Sequence, residues 1–118
     1  MAWAVIFHRA FVLEFAELSL GVQEGLAATA TLLRSQRPTL GRPHADTLAG
    51  SKHPNMKELR FVADDGVWRV AFAFDRERKA IILVAGDKAG VAQKRFYKAL
   101  IAKADARFAE HLETLKGR

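Results

Sequence analysis

The chain has no cysteine. That excludes disulfide staples and thiolate metal sites, and it fits a reducing compartment. Proline is scarce: all three fall between Pro38 and Pro54. No run nears the ~18 apolar residues that a membrane span needs. The start, Met1 to Arg9, lacks the basic lead of a signal peptide, so a soluble, cytoplasmic protein is expected. The sequence also lacks a glycine-rich phosphate loop, a nucleophile elbow and any metal-binding histidine spacing, so neither cofactor nor metal is expected. Acidic residues are in deficit, thirteen against nineteen basic ones, for a net charge of +6.

What is present is an ordinary core former. Half of the 118 residues are hydrophobic, which suits one domain spanning residues 1–118. The positive charge is concentrated. Eleven basic and six acidic residues lie between Lys52 and Lys98, so this stretch carries five of the six net charges. A basic patch of this kind attracts polyanions, nucleic acid and the ribosome among them.

The periodicity predicts an α+β domain in the order βααβββα, with a mainly antiparallel sheet. Trp3 to Phe7 reads as a first strand. Phe11, Val12, Phe15 and Leu18 recur at helical spacing, and Ser19 is placed to cap a second helix with Val22, Leu26, Ala30 and Leu33 as its buried stripe. Gly21 and Gly25 weaken that helix by roughly 1 kcal/mol each relative to Ala. A loop of about 17 residues, Pro38 to Pro54, follows; loops of this length are often functional. Three strands come next, over Met56–Phe61, Val67–Asp75 and Ala80–Lys88. An Asp-Gly turn signal at Asp64-Asp65-Gly66 joins the first two, and a charged loop from Asp75 to Lys79 joins the others. In the middle strand Trp68, Val70, Phe72 and Phe74 share a core face. Arg69, Ala71 and Ala73 share a face that looks open enough for a ligand. A final helix follows Gly90, with Tyr97, Ile101, Ala104, Phe108, Leu112 and Leu115 as its apolar stripe.

Each of the three later strands carries an isolated cation, and antiparallel pairing brings Arg60, Arg69 and Lys88 together. Such a cluster suits a phosphate. Cutting RNA without a metal requires deprotonating a 2′-OH, stabilising a phosphorane and protonating the leaving 5′-oxygen. The planar fork of arginine fits the second task. The plain alternative for each cation is a surface charge, or for Arg60 a partner of Glu58 or Asp75. Tyr97, the one tyrosine, is a candidate base or a stacking platform for a nucleobase, although its stripe also fits a core residue. His44 and His53 lie in the long loop, and His8 and His111 have no neighbours suggesting a site. The other cations of the region, Lys52, Lys57, Arg76, Arg78, Lys79 and Lys94, together with His53, are candidate RNA or ribosome contacts.

The runs Gly41-Arg42-Pro43-His44-Ala45-Asp46-Thr47-Leu48, Gly50-Ser51-Lys52-His53 and Met56-Lys57-Glu58-Leu59-Arg60-Phe61 together resemble the RelE/ParE toxin superfamily, in its phage-derived, HigB-like branch. The likeness continues through Trp68 to Asp75, Gly86-Asp87-Lys88 and Arg95-Phe96-Tyr97. It implies a type II toxin that cuts mRNA in the ribosomal A site and is neutralised by an antitoxin, usually of helix-turn-helix type. It also implies catalytic roles for Arg60, Arg69, Lys88 and Tyr97, with Arg69 at the position tied to transition-state stabilisation. Where RelE-type enzymes carry two lysines before the Leu-Arg motif, this chain has Met56 and Glu58, and Lys57 is one residue out of register. The general base stays unassigned. The superfamily also contains gyrase inhibitors that cut no RNA, so a non-nucleolytic toxin, or a basic module neutralised by its antitoxin, is the alternative.

Overall fold

The computed structural model describes residues 4–36, 41 and 43–117; Trp3, Pro38 and Arg42, named above, lie outside them. The order is β1 (Ala4–Phe7), α1 (Arg9–Ala16), α2 (Leu20–Gln36), β2 (Ala45–Thr47), β3 (Met56–Ala63), β4 (Gly66–Phe74), β5 (Lys79–Asp87) and α3 (Gln93–Lys116). The α+β class, the two N-terminal helices and the C-terminal helix are as expected. The expected long loop is not all loop: it contains β2, which pairs antiparallel with β3. Three residues are too few to show a period, so the strand was invisible to sequence pattern. The sheet order is β1-β5-β4-β3-β2, antiparallel except for the β1–β5 pair.

Local chemistry sets the ends of these elements. His8 caps α1 by accepting from the Ala10 N–H through Nδ1, which leaves Nε2 to donate to Glu110. Ser19 caps α2 by accepting from the Val22 N–H. The β3–β4 turn is Asp64-Asp65, both in the left-handed region at φ 50° and 62°, as a two-residue primed turn requires. Gly66 already belongs to β4 and pairs with Ala63, so the expected Asp-Gly turn is an Asp-Asp turn. Between β4 and β5, the buried Asp75 carboxylate accepts the Glu77 and Lys79 N–H groups and is bonded by His111 Nε2 at 2.8 Å.

Both faces of the sheet are covered. Leu59, Val70, Phe72, Ala80 and Ile82 pack with Phe11, Leu26 and Leu33 from α1 and α2. Met56, Ala71, Ala73, Ile81, Leu83 and Val84 pack with Phe96, Leu100, Ala104 and Phe108 from α3. The small-residue face of β4 is therefore not open. Ala71 and Ala73 are fully buried, and their small size lets α3 lie close. The buried stripe of α3 includes Ala104, Phe108 and Leu115 as expected, but its first turns bury Phe96 and Leu100, each one residue before the position expected, which leaves Tyr97, Ile101 and Leu112 on its flank. A register shift at Ala71/Phe72 makes Leu83 an extra residue on β5. Arg107 binds the Leu83 carbonyl at 2.7 Å and is itself gripped by Glu14. That bond raises the Arg107 pKa and lowers that of Glu14.

The glycines of α2 mark close contacts. A Cβ on Gly25 would stand 2.7 Å from the Phe61 ring, while one on Gly21 would meet the exposed Asp64 carboxylate, which can move. Gly25→Ala is expected to lower stability by about 1 kcal/mol, overpacking exceeding the gain in helix propensity. Gly21→Ala is expected to be neutral or stabilising. Thermal unfolding of the two variants measures the difference; equal stabilisation by both would show that the Gly25–Phe61 contact does not constrain the helix.

Candidate active site

The two arginines face each other: Arg60 on β3 and Arg69 on β4 are direct register partners. Like charges so placed repel, and the residue that relieves this is Glu58. Two positions before Arg60, it projects from the same face of the strand. Its side chain is 5% exposed. Glu58 Oε2 lies 3.4 Å from Arg60 Nη2, and Oε1 lies 3.5 Å from Arg69 Nε. From α3, Tyr97 completes the set: its hydroxyl donates to Glu58 Oε1 at 2.7 Å and accepts from Arg69 Nε at 3.2 Å. Arg69 also donates to the Trp68 carbonyl at 3.0 Å. Asp46, on β2, approaches Arg60 at 3.9 Å.

Asp46, Glu58, Arg60 and Tyr97 form the floor of a cleft of about 960 Å³ between α3 and the β2–β3 side of the sheet; Arg69, 12% exposed, touches Glu58 and Tyr97 without lining the cleft itself. Lys52, Lys88, Lys94 and Lys98 stand round it, and Leu48, Gly50, Ile101 and Ala102 form an apolar wall. Lys88 Nζ is 5.9 Å from the centre of the Tyr97 ring. Asp105 on α3 accepts from Ser51 Oγ and the Lys52 N–H, fixing the loop that carries Lys52. Arg60 Nε is buried with no hydrogen-bond partner among the described residues. A buried donor without an acceptor is costly.

The expected residues divide by position. Arg60, Arg69, Lys88 and Tyr97 converge, and Lys52 and Lys94 line the same cleft. Lys57 alternates with Glu58 and so points to the other face of the sheet. His53 packs edge-on against Phe108 at 5.0 Å. Arg76 and Arg78 in the β4–β5 turn and Lys79 at the start of β5 lie about 20 Å or more along the strand from Arg69 at ~3.3 Å per residue. There Arg76 binds the Leu115 carbonyl at 3.0 Å and Lys79 pairs with Glu77 at 3.4 Å. The residue sequence reasoning undervalued is Glu58. The signal for it is its spacing: two positions before Arg60 on a strand, it shares that residue's face. Among the described residues, no group of three or more His, Asp or Glu is placed to hold a metal ion, and no helix is long and apolar enough to cross a membrane.

Known proteins share this architecture. An arginine double mutant of the E. coli toxin RelE, solved in the free state, superposes with a TM-score of 0.62 at 15% identity, covering 87% of this chain and 97% of that one. The fold is thus that of RelE. Residues 13–109 match the family model described as phage derived protein Gp49-like (DUF891). Two Mycobacterium tuberculosis proteins named as candidate toxins are similar at higher identity. HigB2 is 46% identical over 86 residues, which are 72% of this chain and 42% of that protein. HigB3 is 43% identical over 93 residues, 79% of each chain. The match to HigB2 spans about two fifths of that relative's length. The chain belongs to the phage-derived Gp49-like family, among RelE- and HigB-like proteins.

Burial, and then the hydrogen bond to Glu58, push the Tyr97 pKa above the ordinary tyrosine value, with Arg69 opposing. Replacing Glu58 by Gln removes an acceptor and a negative charge, so the Glu58→Gln variant is expected to ionise Tyr97 at lower pH. Tyr97 is the single tyrosine, which makes phenolate absorbance an unambiguous readout. An unchanged titration would mean that the two groups are not bonded.

Proposed function

We propose that this chain is the toxin of a toxin–antitoxin pair and that it cleaves mRNA on the ribosome. The observation that carries the reading is the Glu58 carboxylate held between Arg60, Arg69 and the Tyr97 hydroxyl on the floor of a cleft surrounded by lysines. Family membership and the names of the M. tuberculosis relatives support the toxin role. A cognate antitoxin, expected to be of helix-turn-helix type, is the partner this implies.

In the proposed reaction an RNA phosphate enters over Arg60 and Arg69 and takes over part of their pairing with Glu58. Glu58, released from its arginines, accepts the proton of the adjacent 2′-OH. The 2′-oxygen forms its bond to phosphorus, the bond from phosphorus to the 5′-oxygen breaks, and the two arginines bear the phosphorane charge. Lys88 gives a proton to the departing 5′-oxygen, so the products are a 2′,3′-cyclic phosphate and a 5′-hydroxyl. Tyr97 is poorly suited to be the base because its proton is already donated to Glu58 and its ionisation is disfavoured. It instead orients Glu58 and offers a ring face to a base.

The same ion pairs also support a second reading. Arginines neutralised by Glu58 could serve the fold alone, and the chain would then act by binding, as gyrase-inhibiting toxins do.

Mapping transcript ends after induced expression separates the two. Arg69 partly neutralises a buried carboxylate, so Arg69→Ala carries a stability cost. Arg69→Lys, which keeps the charge and loses the fork, and Lys88→Ala at the half-buried strand end are cleaner probes. Wild type is expected to give discrete cuts within translated codons, reduced ~10²–10³-fold by either change. Intact mRNA with an SOS response would favour the second reading and overturn the first.

A further inference from the structure

On the flank of α3 away from the cleft, β5 has an open edge. The β1 strand covers β5 only as far as Ile82, where His8 N–H closes the ladder on the Ile82 carbonyl. Beyond it, Arg107 caps the Leu83 carbonyl. The next outward groups follow from strand alternation. Lys88 N–H bonds the Val67 carbonyl at 2.7 Å, so that pair is hydrogen-bonded. Stepping back along the register, Arg69–Gly86 is hydrogen-bonded, whereas Trp68–Asp87 and Val70–Ala85 are not. The N–H and C=O groups of Ala85 and Asp87 therefore point away from β4, and no described residue bonds them.

A groove of about 280 Å³ runs beside this edge, with Val91, Phe96, Ala99 and Leu100 as its apolar lining and Arg95 and Lys103 as its cations. Among the described residues no carboxylate lines it, and two near its margins are engaged: Glu14 grips Arg107, with Lys103 close enough to lower its pKa, and Asp87 Oδ1 accepts the Val67 and Ala89 N–H groups. An unpaired edge flanked by an apolar groove is a template for strand addition.

We propose that Ala85–Asp87 is a docking edge for an extended acidic segment of a partner protein, which adds a sixth strand beside β5. Alternate side chains of that segment enter the groove, and its carboxylates meet Arg95 and Lys103. Charge selects the occupant. A second copy of this chain, at net +6, would set Arg95 and Lys103 against their own duplicates, whereas an acidic strand meets them favourably. The site shares no lining residue with the cleft and does not depend on RNA cleavage.

The test uses the full chain and two short synthetic peptides, one alternating valine with glutamate and one alternating valine with lysine. Amide exchange is followed by NMR. The acidic peptide is expected to bind saturably and slow exchange at Ala85 and Asp87, while the lysine peptide leaves both unchanged. Charge reversal of two exposed residues, Arg95→Glu with Lys103→Glu, is expected to weaken binding at least tenfold. Ala85→Pro, which removes only an outward N–H, is expected to abolish it with the fold retained by circular dichroism. Any one of four results would overturn the proposal: no binding, equal binding of both peptides, protection confined to the Arg60–Lys88 cleft, or self-association through β5.

Discussion

Everything around the cleft depends on one buried carboxylate. Glu58 is 5% exposed, and its two oxygens sit within 3.5 Å of cationic nitrogens of Arg60 and Arg69. Without it, two arginines directly opposite each other on paired strands would repel in a partly desolvated setting. Without them, a buried carboxylate would stand unpaired. Tyr97 ties this set to α3, so the helix that closes one face of the sheet also orients the acidic group. Removing any one member leaves another uncompensated, which makes the cluster structural whatever else it does.

The same arrangement suits anion exchange. An internal carboxylate between two guanidinium groups resembles, in charge and reach, a phosphate held by the same forks. A polyanion drawn in by the surrounding lysines meets arginines already placed for it. The group it displaces is a base. In the proposed reaction, binding and activation are then one event. The helix α3 divides the surface: its Tyr97 flank faces the cation-lined cleft, and its Phe96 flank faces the open half of β5.

Much of this was legible in the sequence because strands encode faces by parity. Arg60, Arg69 and Lys88 could be brought together from turn spacing alone, and Glu58 shares the parity of Arg60. What parity could not show was depth. The alanines opposite the aromatic face of β4 looked like open ground, but small side chains equally permit a close helix, and α3 occupies that ground. The expected stripe of α3 holds at Ala104, Phe108 and Leu115 but is one residue off in the first turns, because Phe96-Tyr97 and Leu100-Ile101 are adjacent apolar pairs and only packing decides which member turns inward. The strand β2 was missed because three residues carry no period. Gly25 looked like a defect of α2 until the Phe61 ring was found against it. The outward groups of β5 depend on where β1 stops pairing, which no local pattern records.

The central claim is that Glu58 removes the 2′-proton once a phosphate has taken its place on the arginines. The most direct measurement is single-turnover cleavage of ribosome-bound mRNA by Glu58→Gln, with ribosome binding measured alongside. Glutamine keeps the size of the side chain and one acceptor oxygen but cannot take the proton. The account predicts a cleavage rate lowered ~10²–10⁴-fold, the usual worth of a positioned base, with binding retained. A Glu58→Gln protein that cuts at the wild-type rate would contradict it.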